Sequence, residues 1–308
     1  MFSKKLLIPL LSLSLLVTPA YSSHAAENAE AAGTSVEGQG MLSPSSSSER
    51  SESVFNGSGA GTSSEPVTDE KLETILKQVQ SQLPTENGTW AVFISDLVNG
   101  TEGSLNDQKM QAASLIKLYI MGAVYENYDQ ITGQYGRDSV DSNLYSMITV
   151  SDNDAANTLT TYLGGGDSAA GMQAVNSFCQ AHGYDQTHMG RMLLASNEND
   201  DTYTSVGDCG HLLQEIYKQD TSGYTHAADM FNLLKAQTRC NKIPAQLPEG
   251  VKTANKTGEL DNVENDAGII YDSKNDVVIV FMSQNLSSAG SAQNTIATLS
   301  RTIYDYYN

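Results

Sequence analysis

The run Ala112-Ala113-Ser114-Leu115-Ile116-Lys117-Leu118 is apolar except for one serine and one lysine, which are three residues apart. On a helix this spacing places both side chains on one face, within reach of each other. A serine hydroxyl is a weak nucleophile until a base removes its proton, and apolar neighbours favour the neutral lysine that this requires. If the helix begins near Ser114, the backbone N–H of this residue also suits an oxyanion. The spacing alone is a weak signal, because many exposed helices carry it by chance.

Two further polar runs follow along the chain. Ser151-Asp152-Asn153 lies between two predicted helical segments, and Lys256-Thr257-Gly258 lies inside a predicted strand. Taken separately, the first could be a helix-capping turn and the second an exposed strand segment. With Ser114 and Lys117, in this chain order, they match the SxxK, SDN and KTG signature. The sequence therefore resembles the class A β-lactamases and penicillin-binding proteins. The resemblance spans residues 67–308, and further similar stretches are residues 147–157, 247–250 and 265–268.

The resemblance implies a serine hydrolase that opens an amide bond through an acyl-enzyme. Ser114 would attack the carbonyl carbon, Lys117 would accept the serine proton, and Ser151 would relay a proton to the leaving nitrogen. Asn153 would bind the substrate's side-chain amide and orient Lys117. These roles make Ser114, Lys117 and Ser151 the candidate catalytic residues.

The KTG run supplies candidate substrate-binding residues by the same resemblance. Lys256 would bring positive charge to Ser151 and to the substrate carboxylate, which Thr257 would hydrogen-bond. Gly258 would let the substrate approach the strand edge, because it has no side chain. The backbone N–H of Glu259 would be the second oxyanion donor.

The sequence departs from the family where the family carries a glutamate that activates water, in a run like Arg-x-Glu-x-x-Leu-Asn. Aligning Arg191 and Asn197 with that run places Leu193 at the glutamate position, and leucine cannot accept a proton. Glu198 is either a displaced base or an exposed residue of a polar run. Arg191 and Asp201 could form the salt bridge that closes such an omega loop. We therefore expect slow deacylation.

A second departure concerns the arginine that the family usually places after the KTG strand to bind carboxylate. Asn265 and Asp266 provide no such group. Lys242 or Lys252 could substitute, although either could equally be a solvated surface lysine. The sequence leaves this position open.

The element pattern predicts an α+β fold. Ser205 and Asp208 resemble a capping box for a helix that ends near Lys218. Strands near both ends of the domain surround a helical centre, which implies one antiparallel sheet built from both chain ends, with flanking helices and an inserted all-helical lobe. We expect the site in a cleft between the two lobes. The predicted elements are a helix over residues 68–83 capped by Thr68, strands over 90–96 and 101–105 joined by a turn at 99–100, a mostly helical middle over 111–237, strands over 251–260, 267–271 and 277–283, and a helix near the C-terminus.

The N-terminal residues predict an export signal. Two lysines precede an apolar stretch over residues 6–20, and small residues follow through Ala26. The stretch is short for a membrane span and contains Pro9, so a retained anchor is the weaker alternative. Cleavage could follow Ser22, Ala25 or Ala26.

Residues 27–66 are rich in Ser, Gly, Glu and Ala, with almost nothing apolar to bury, which predicts a disordered linker. The chain then divides into a signal peptide (1–26), this linker and a catalytic domain (67–308). We expect a secreted protein, which the linker could associate with the cell surface.

The charge of the chain argues against some partners. All 36 acidic residues lie beyond Ala26, while two of the 17 basic residues belong to the signal, so the exported chain carries 15 minus 36, or −21. Such an excess argues against nucleic acid. We expect a monomer without stable membrane insertion, whose partner is a small β-lactam or a cell-wall peptide. The expected chemistry needs no cofactor and no metal.

The three cysteines, Cys179, Cys209 and Cys240, are widely spaced and lack a CxxC pair, so neither a zinc site nor a disulfide framework is indicated. One bridge with one free thiol, or burial of all three, are equally open. The five histidines are scattered, and no Ser-His-Asp arrangement is readable.

Three functions remain in competition. The first is a β-lactamase of slow deacylation. The second is a cell-wall enzyme that acts on a D-alanyl peptide or a related amide or ester. The third is a peptidoglycan-binding module that has kept the cleft, against which the intact Ser114, Lys117, Ser151, Lys256 and Thr257 argue.

Overall fold

The computed structural model of the protein describes residues 69–219 and 224–308. The predicted signal peptide, the predicted linker and Thr68 lie outside these residues. Within the described ranges, no helix is both long enough and apolar enough to cross a membrane.

The described residues form strands and helices that are numbered in chain order. The strands are β1 (Thr89–Asp96), β2 (Thr101–Leu105), β3 (Met110–Gln111), β4 (Tyr203–Thr204), β5 (Lys252–Leu260), β6 (Val263–Tyr271) and β7 (Val277–Gln284). The α-helices are α1 (Glu70–Gln82), α2 (Ile116–Glu126), α3 (Tyr128–Tyr135), α4 (Arg137–Thr149), α5 (Asn153–Leu163), α6 (Ser168–Ala181), α7 (Val206–Lys218), α8 (Ala227–Lys235) and α9 (Ala289–Tyr307). Short 3-10 turns cover Ala113–Leu115 and Ile243–Gln246.

One antiparallel sheet joins the two ends of the domain. Its strand order is β2-β1-β7-β6-β5, so that β1 from the N-terminal part pairs with β7 from the C-terminal part. The register sets Phe93 opposite Val280 and Gly258 opposite Asn265. The predicted α+β fold, with a sheet assembled from both chain ends and a helical insertion, is confirmed.

Both faces of the sheet are buried. Successive side chains of a strand point to opposite faces, so each strand contributes to two cores. On β7, Val278, Val280 and Met282 belong to the core shared with the helical lobe. Val277, Ile279 and Phe281 belong to the opposite core, which α1 and α9 complete. The second core also contains Leu72, Ile75, Val79, Ile296, Leu299 and Ile303.

The helix starts test the capping predictions. The Ser205 side chain accepts a hydrogen bond from the backbone N–H of Asp208, and α7 ends at Lys218, so the predicted capping box is confirmed. The predicted cap of α1 was placed one residue early. Asp69 is the N-cap, because its carboxylate accepts from the N–H groups of Lys71 and Leu72.

Strand β6 begins at Val263, four residues before the predicted start. The residues that the prediction left out include Glu264, Asn265 and Asp266, which are polar yet buried and paired with β5. The predicted helical middle also contains the short pairing of β3 with β4. Its remaining elements are helices α2 to α8.

All three cysteines are free thiols, and two of them, Cys179 and Cys209, are buried. Cys240 is exposed. The sequence left two alternatives, one disulfide bridge or burial of all three cysteines. Neither holds in full, since no bridge forms among these three and only two of them are buried.

Candidate active site

Ser114 lies in the 3-10 turn directly before α2. The preceding residue, Ala113, has a φ of +47°, a left-handed conformation that is strained for a residue with a side chain. The Lys117 Nζ atom lies 3.0 Å from Ser114 Oγ. The two side chains that the spacing predicts to be neighbours are therefore in hydrogen-bond contact.

Lys117 is the centre of the site. Its Nζ atom donates to the carbonyl oxygen of Ser151 at 2.7 Å and to Asn153 Oδ1 at 2.7 Å, and it lies 3.1 Å from Ser151 Oγ. The side chain is fully buried. Burial lowers the pKa of Lys117 to about 8; the positive charge of Arg239 also lowers it, and the negative charge of Asp152 opposes the shift. An appreciable fraction of this amine is therefore neutral near pH 8.

Ser151 and Asn153 reach Lys117 from the connection between α4 and α5. Ser151 has a φ of +62°, a second left-handed residue at the site. The Asp152 carboxylate caps α5 by accepting from the backbone N–H of Ala155 at 2.8 Å. The SDN run is thus a helix cap as well as part of the site, so the capping explanation and the site explanation hold together.

Lys256 approaches the same serine from the sheet. Its Nζ atom donates to Ser151 Oγ at 2.9 Å and to the carbonyl oxygen of Thr257 at 2.7 Å. Burial, together with the positive charges of Lys117 and Arg239, lowers the pKa of Lys256 well below its usual value. Ser151 Oγ therefore lies between two buried amines.

Gly258 places the edge of β5 against the turn that holds Ser114. A Cβ atom at this position would lie 3.0 Å from the carbonyl oxygen of Ala112 and 3.2 Å from the nitrogen of Ser114. Such contacts are tighter than most that side chains make. Glycine is therefore the residue that lets the strand edge and the turn face each other.

Asn265 ties β6 to the same turn. Its Nδ2 atom donates to the carbonyl oxygens of Gln111 at 2.9 Å and Ala112 at 3.2 Å, and its Oδ1 atom accepts from the N–H of Ser283. Asp266 accepts from the N–H of Ile243 at 2.9 Å. The Asn265-Asp266 pair, which provides no carboxylate-binding arginine, is a buried support of the site.

A cleft opens over these residues in two adjoining parts. A polar part of about 230 Å³ is lined by Ser114, Ser151, Asn153, Arg239, Thr257 and Glu259. A larger part of about 280 Å³ continues past Leu193, Leu194 and Leu260. All the predicted site residues except the buried Lys117, Lys256 and Gly258 line the cleft.

Arg239 is the one cationic lining residue that sequence reasoning missed. It lies after α8, where the Gln237 side chain accepts from its backbone N–H at 3.1 Å and Thr238 N donates to the carbonyl oxygen of Thr149 at 3.0 Å. An isolated arginine 17 positions before Lys256 has no periodicity that would identify it. Only the docking of this segment onto the end of α4 brings it to the cleft.

Neither lysine suggested as a replacement for the family's arginine lines the cleft. Lys242 is fully buried and donates to Glu264 at 2.6 Å and Glu259 at 3.1 Å. Lys252 begins β5 and pairs with Asp272 on the surface. Arg239, in contrast, lines the polar part of the cleft together with Ser114 and Thr257.

The segment that carries Leu193 is held by one predicted salt bridge and by hydrogen bonds that the sequence did not predict. Arg191 Nε donates to Asp201 Oδ1 at 2.8 Å, which confirms the expected salt bridge. The Asn157 side chain bonds both backbone groups of Leu193, donating to its carbonyl oxygen at 3.1 Å and accepting from its N–H at 2.9 Å. Leu193 lines the cleft together with Ser114. Glu198, the alternative base, is exposed and is not among the cleft-lining residues.

The acidic, histidine and cysteine side chains do not cluster into a metal site in the described part of the chain. Among residues 69–219 and 224–308, no group of three or more His, Cys, Asp or Glu side chains is arranged to hold a metal ion.

The chain matches known proteins over the described domain. The model of the "Beta-lactamase enzyme family" matches residues 71–136 and 133–307. No curated protein matches the chain. A crystal structure of a β-lactamase from Sphaerobacter thermophilus has a TM-score of 0.64 and 21% identity, covering 75% of this chain and 96% of that one.

Two further solved structures are of PBP-A. One has a TM-score of 0.67 and 22% identity, and the match covers 76% of this chain and 96% of that one. The other is a PBP-A variant with a leucine replaced by glutamate, an acyl-enzyme complex with penicillin G, at a TM-score of 0.66, 22% identity and the same coverage. At these identities the structures support the fold, while the family match spans most of the chain. The chain therefore belongs to the β-lactamase enzyme family and is a serine hydrolase that acts on amide bonds.

Proposed function

We propose that the protein is a secreted enzyme that opens β-lactam amides through an acyl-enzyme on Ser114 and releases the product slowly. The observation that carries this proposal is the contact of one buried amine, Lys117 Nζ, with both Ser114 Oγ and Ser151 Oγ. An amine whose pKa is about 8 can accept a proton near neutral pH.

In acylation, Ser114 Oγ forms a bond to the substrate carbonyl carbon while its proton passes to Lys117 Nζ. The backbone N–H groups of Ser114 and Glu259, which flank the Gly258 contact, would stabilise the oxyanion. The carbon–nitrogen bond then breaks. Ser151 gives its hydroxyl proton to the leaving nitrogen and regains one from Lys117, which restores the amine.

Substrate binding uses the rest of the cleft. Asn153 Oδ1 accepts a hydrogen bond from Lys117 Nζ. Its Nδ2 group would then donate to the carbonyl oxygen of the substrate's side-chain amide. Thr257 and Lys256 would receive the substrate carboxylate, and Arg239 would complete its recognition. Arginine suits a carboxylate because its planar donors can bond two oxygens.

Slow deacylation follows from the side chain at Leu193. Hydrolysis of an acyl-enzyme needs a base within reach of a water molecule, and the leucine that lines this part of the cleft has no proton acceptor. The captured PBP-A acyl-enzyme with penicillin G supports the view that this fold accommodates such an adduct.

Leu193 in the cleft lining also favours a second candidate, a cell-wall enzyme that acts on a D-alanyl peptide or ester. Such an enzyme can pass its acyl group to an acceptor other than water, or can tolerate slow turnover. Leu193 is compatible with both activities, so the substrate has to be decided by measurement.

Intact-protein mass spectrometry with benzylpenicillin tests the proposal. We expect an adduct of the mass of the intact penicillin, persisting for minutes to hours, which is lost in Ser114→Ala. Rapid hydrolysis with no lasting adduct would contradict slow deacylation. Absence of both adduct and hydrolysis, with acylation by a D-alanyl ester retained, would favour the cell-wall enzyme. N-terminal sequencing of protein from the culture medium tests export, with a start after Ser22, Ala25 or Ala26 expected.

A further inference from the structure

Four charged residues form a continuous chain from the cleft into the interior. Arg239 NH1 donates to Glu259 Oε2 at 2.9 Å, and Lys242 Nζ donates to Glu259 Oε1 at 3.1 Å. Lys242 also donates to Glu264 Oε2 at 2.6 Å. Two of these side chains are partly exposed, at 45% for Arg239 and 32% for Glu259. The other two are buried, at 0% for Lys242 and 4% for Glu264. Glu259 is thus the carboxylate at the boundary between cleft and core.

The buried lysine does not depend on Glu259 for a counter-charge. Glu264 lies closer to Lys242 and is almost fully buried, and Gln293 of α9 holds its other oxygen at 2.8 Å. A buried amine with one close carboxylate is already neutralised as a pair. The charge of Glu259 is therefore left to act on Arg239 and on whatever enters the cleft.

Glu259 is ionised at neutral pH. Burial by itself would raise the pKa of its carboxyl group, but the positive charges of Lys242, Arg239 and Lys256 together lower that pKa below its usual value. The carboxylate lines both parts of the cleft, beside Ser114 and Thr257. A substrate carboxylate that reaches Arg239 must approach within a few ångströms of this like charge.

We infer that Glu259 is a specificity-determining residue. Its carboxylate bonds the Arg239 guanidinium and disfavours substrates that carry their own carboxylate beside Arg239. The inference rests on the proposed acylation of Ser114. It predicts that the charge of Glu259 weakens the preference of the cleft for acyl donors that carry a carboxylate at this place over acyl donors that are neutral there. The physical cause is competition for one guanidinium, added to repulsion between like charges in a partly desolvated cleft.

Two probes that differ only at this carboxylate provide the test: benzylpenicillin, which carries the charge, and its methyl ester, which is neutral and has one added methyl group. The quantity measured is the ratio of their second-order acylation rates on Ser114, acid over ester, by mass spectrometry. Because both probes use the same oxyanion donors, the ratio cancels any effect of a substitution at Glu259 on the backbone N–H. Glu259→Gln keeps oxygen and length but removes the charge, and Glu249→Gln, an exposed carboxylate outside the cleft lining, removes the same charge elsewhere.

We expect the ratio to rise about tenfold in Glu259→Gln, a modest part of the interaction between two charges at cleft distances. The ratio in Glu249→Gln should match the wild type. Arg239→Gln should lower the ratio more strongly in the Glu259→Gln background than alone, since only there is the guanidinium fully available to substrate. Equal ratios in wild type and Glu259→Gln, with Ser114 labelled in both, would overturn this inference and leave the proposed function standing. If neither probe labels Ser114 in any of these proteins, the proposed function falls and the inference falls with it.

Discussion

Lys117 has to be neutral before it can accept the proton of Ser114. Its pKa of about 8 means that the ammonium form dominates below that pH. We therefore predict that the second-order rate of acylation by benzylpenicillin rises about tenfold per pH unit up to about pH 8 and levels off above it. The measurement is stopped-flow acylation across this range at constant ionic strength. An acylation rate that decreases as the pH is raised towards 8 would contradict the proposed base.

A single substitution can identify Lys117 as the titrating group. The negative charge of Asp152 raises the pKa of Lys117, and Asn caps a helix about as well as Asp. Asp152→Asn should therefore keep the start of α5 and move the inflection of the profile below pH 8. An inflection that stays in place would assign the profile to another group.

The folded state carries a cost for holding this amine with a lowered pKa. Between about pH 8 and the ordinary lysine value of 10.5, the unfolded chain binds more protons at this site than the folded protein does. The free energy of unfolding should therefore increase as pH rises through this interval, by the contribution of Lys117. Denaturant titrations of wild type and Lys117→Met at pH 8 and at pH 10 measure it. The wild type should gain stability relative to the variant, and a relative loss would contradict the depressed pKa.

Leu193 controls the second half of the proposed reaction. Its backbone is held on both sides by Asn157, so a glutamate side chain at this position should point into the cleft as the leucine does. We predict that Leu193→Glu accelerates loss of the penicillin adduct by roughly 10² to 10⁴, the usual contribution of a general base. The decay of the adduct mass over time measures this rate. Leu193→Gln has nearly the same size and no base, and a similar acceleration in that variant would contradict the mechanism.

At the scale of elements, the edge of β5 requires a residue without a side chain at Gly258. A Cβ atom there would press on the Ala112 carbonyl and the Ser114 nitrogen, which belong to the turn that carries the nucleophile. Gly258→Ala should therefore slow acylation at least tenfold, because small displacements of reacting groups are costly. Gly133→Ala in α3 is the matched control, since its Cβ would meet nothing within 4 Å and alanine favours helix. The control should keep the wild-type acylation rate.

The elements also show where sequence reasoning ends. The apolar runs over residues 90–96 and 277–283 predict β1 and β7, and three short motifs predict which segments meet at Ser114. The first residues of β6 escape this reasoning, because Glu264, Asn265 and Asp266 are polar and yet buried through specific partners. Arg239 escapes it as well, since its place depends on Thr238 bonding to Thr149 at the end of α4, a contact with no local signature.

At the scale of the whole molecule, the sheet is complete on both faces within the described residues. The helical lobe covers one face, and α1 with α9 covers the other. We therefore expect both cores to close without the predicted signal peptide and linker. This division predicts where the chain can be shortened and where it cannot.

A fragment over residues 67–308 should melt within about 2 °C of one over residues 27–308, which corresponds to less than about 1 kcal/mol for a domain of this size. A fragment that starts at residue 85 lacks α1, whose Leu72, Ile75 and Val79 are buried against the sheet and α9. Three such side chains contribute roughly 5–9 kcal/mol, which is most of the stability of an ordinary domain. We therefore predict that the shorter fragment fails to give a cooperative melt by circular dichroism and fails to label with benzylpenicillin. If the fragment over 67–308 melted several degrees below the longer one, residues 27–66 would belong to the folded unit, and the boundary at residue 67 would be wrong.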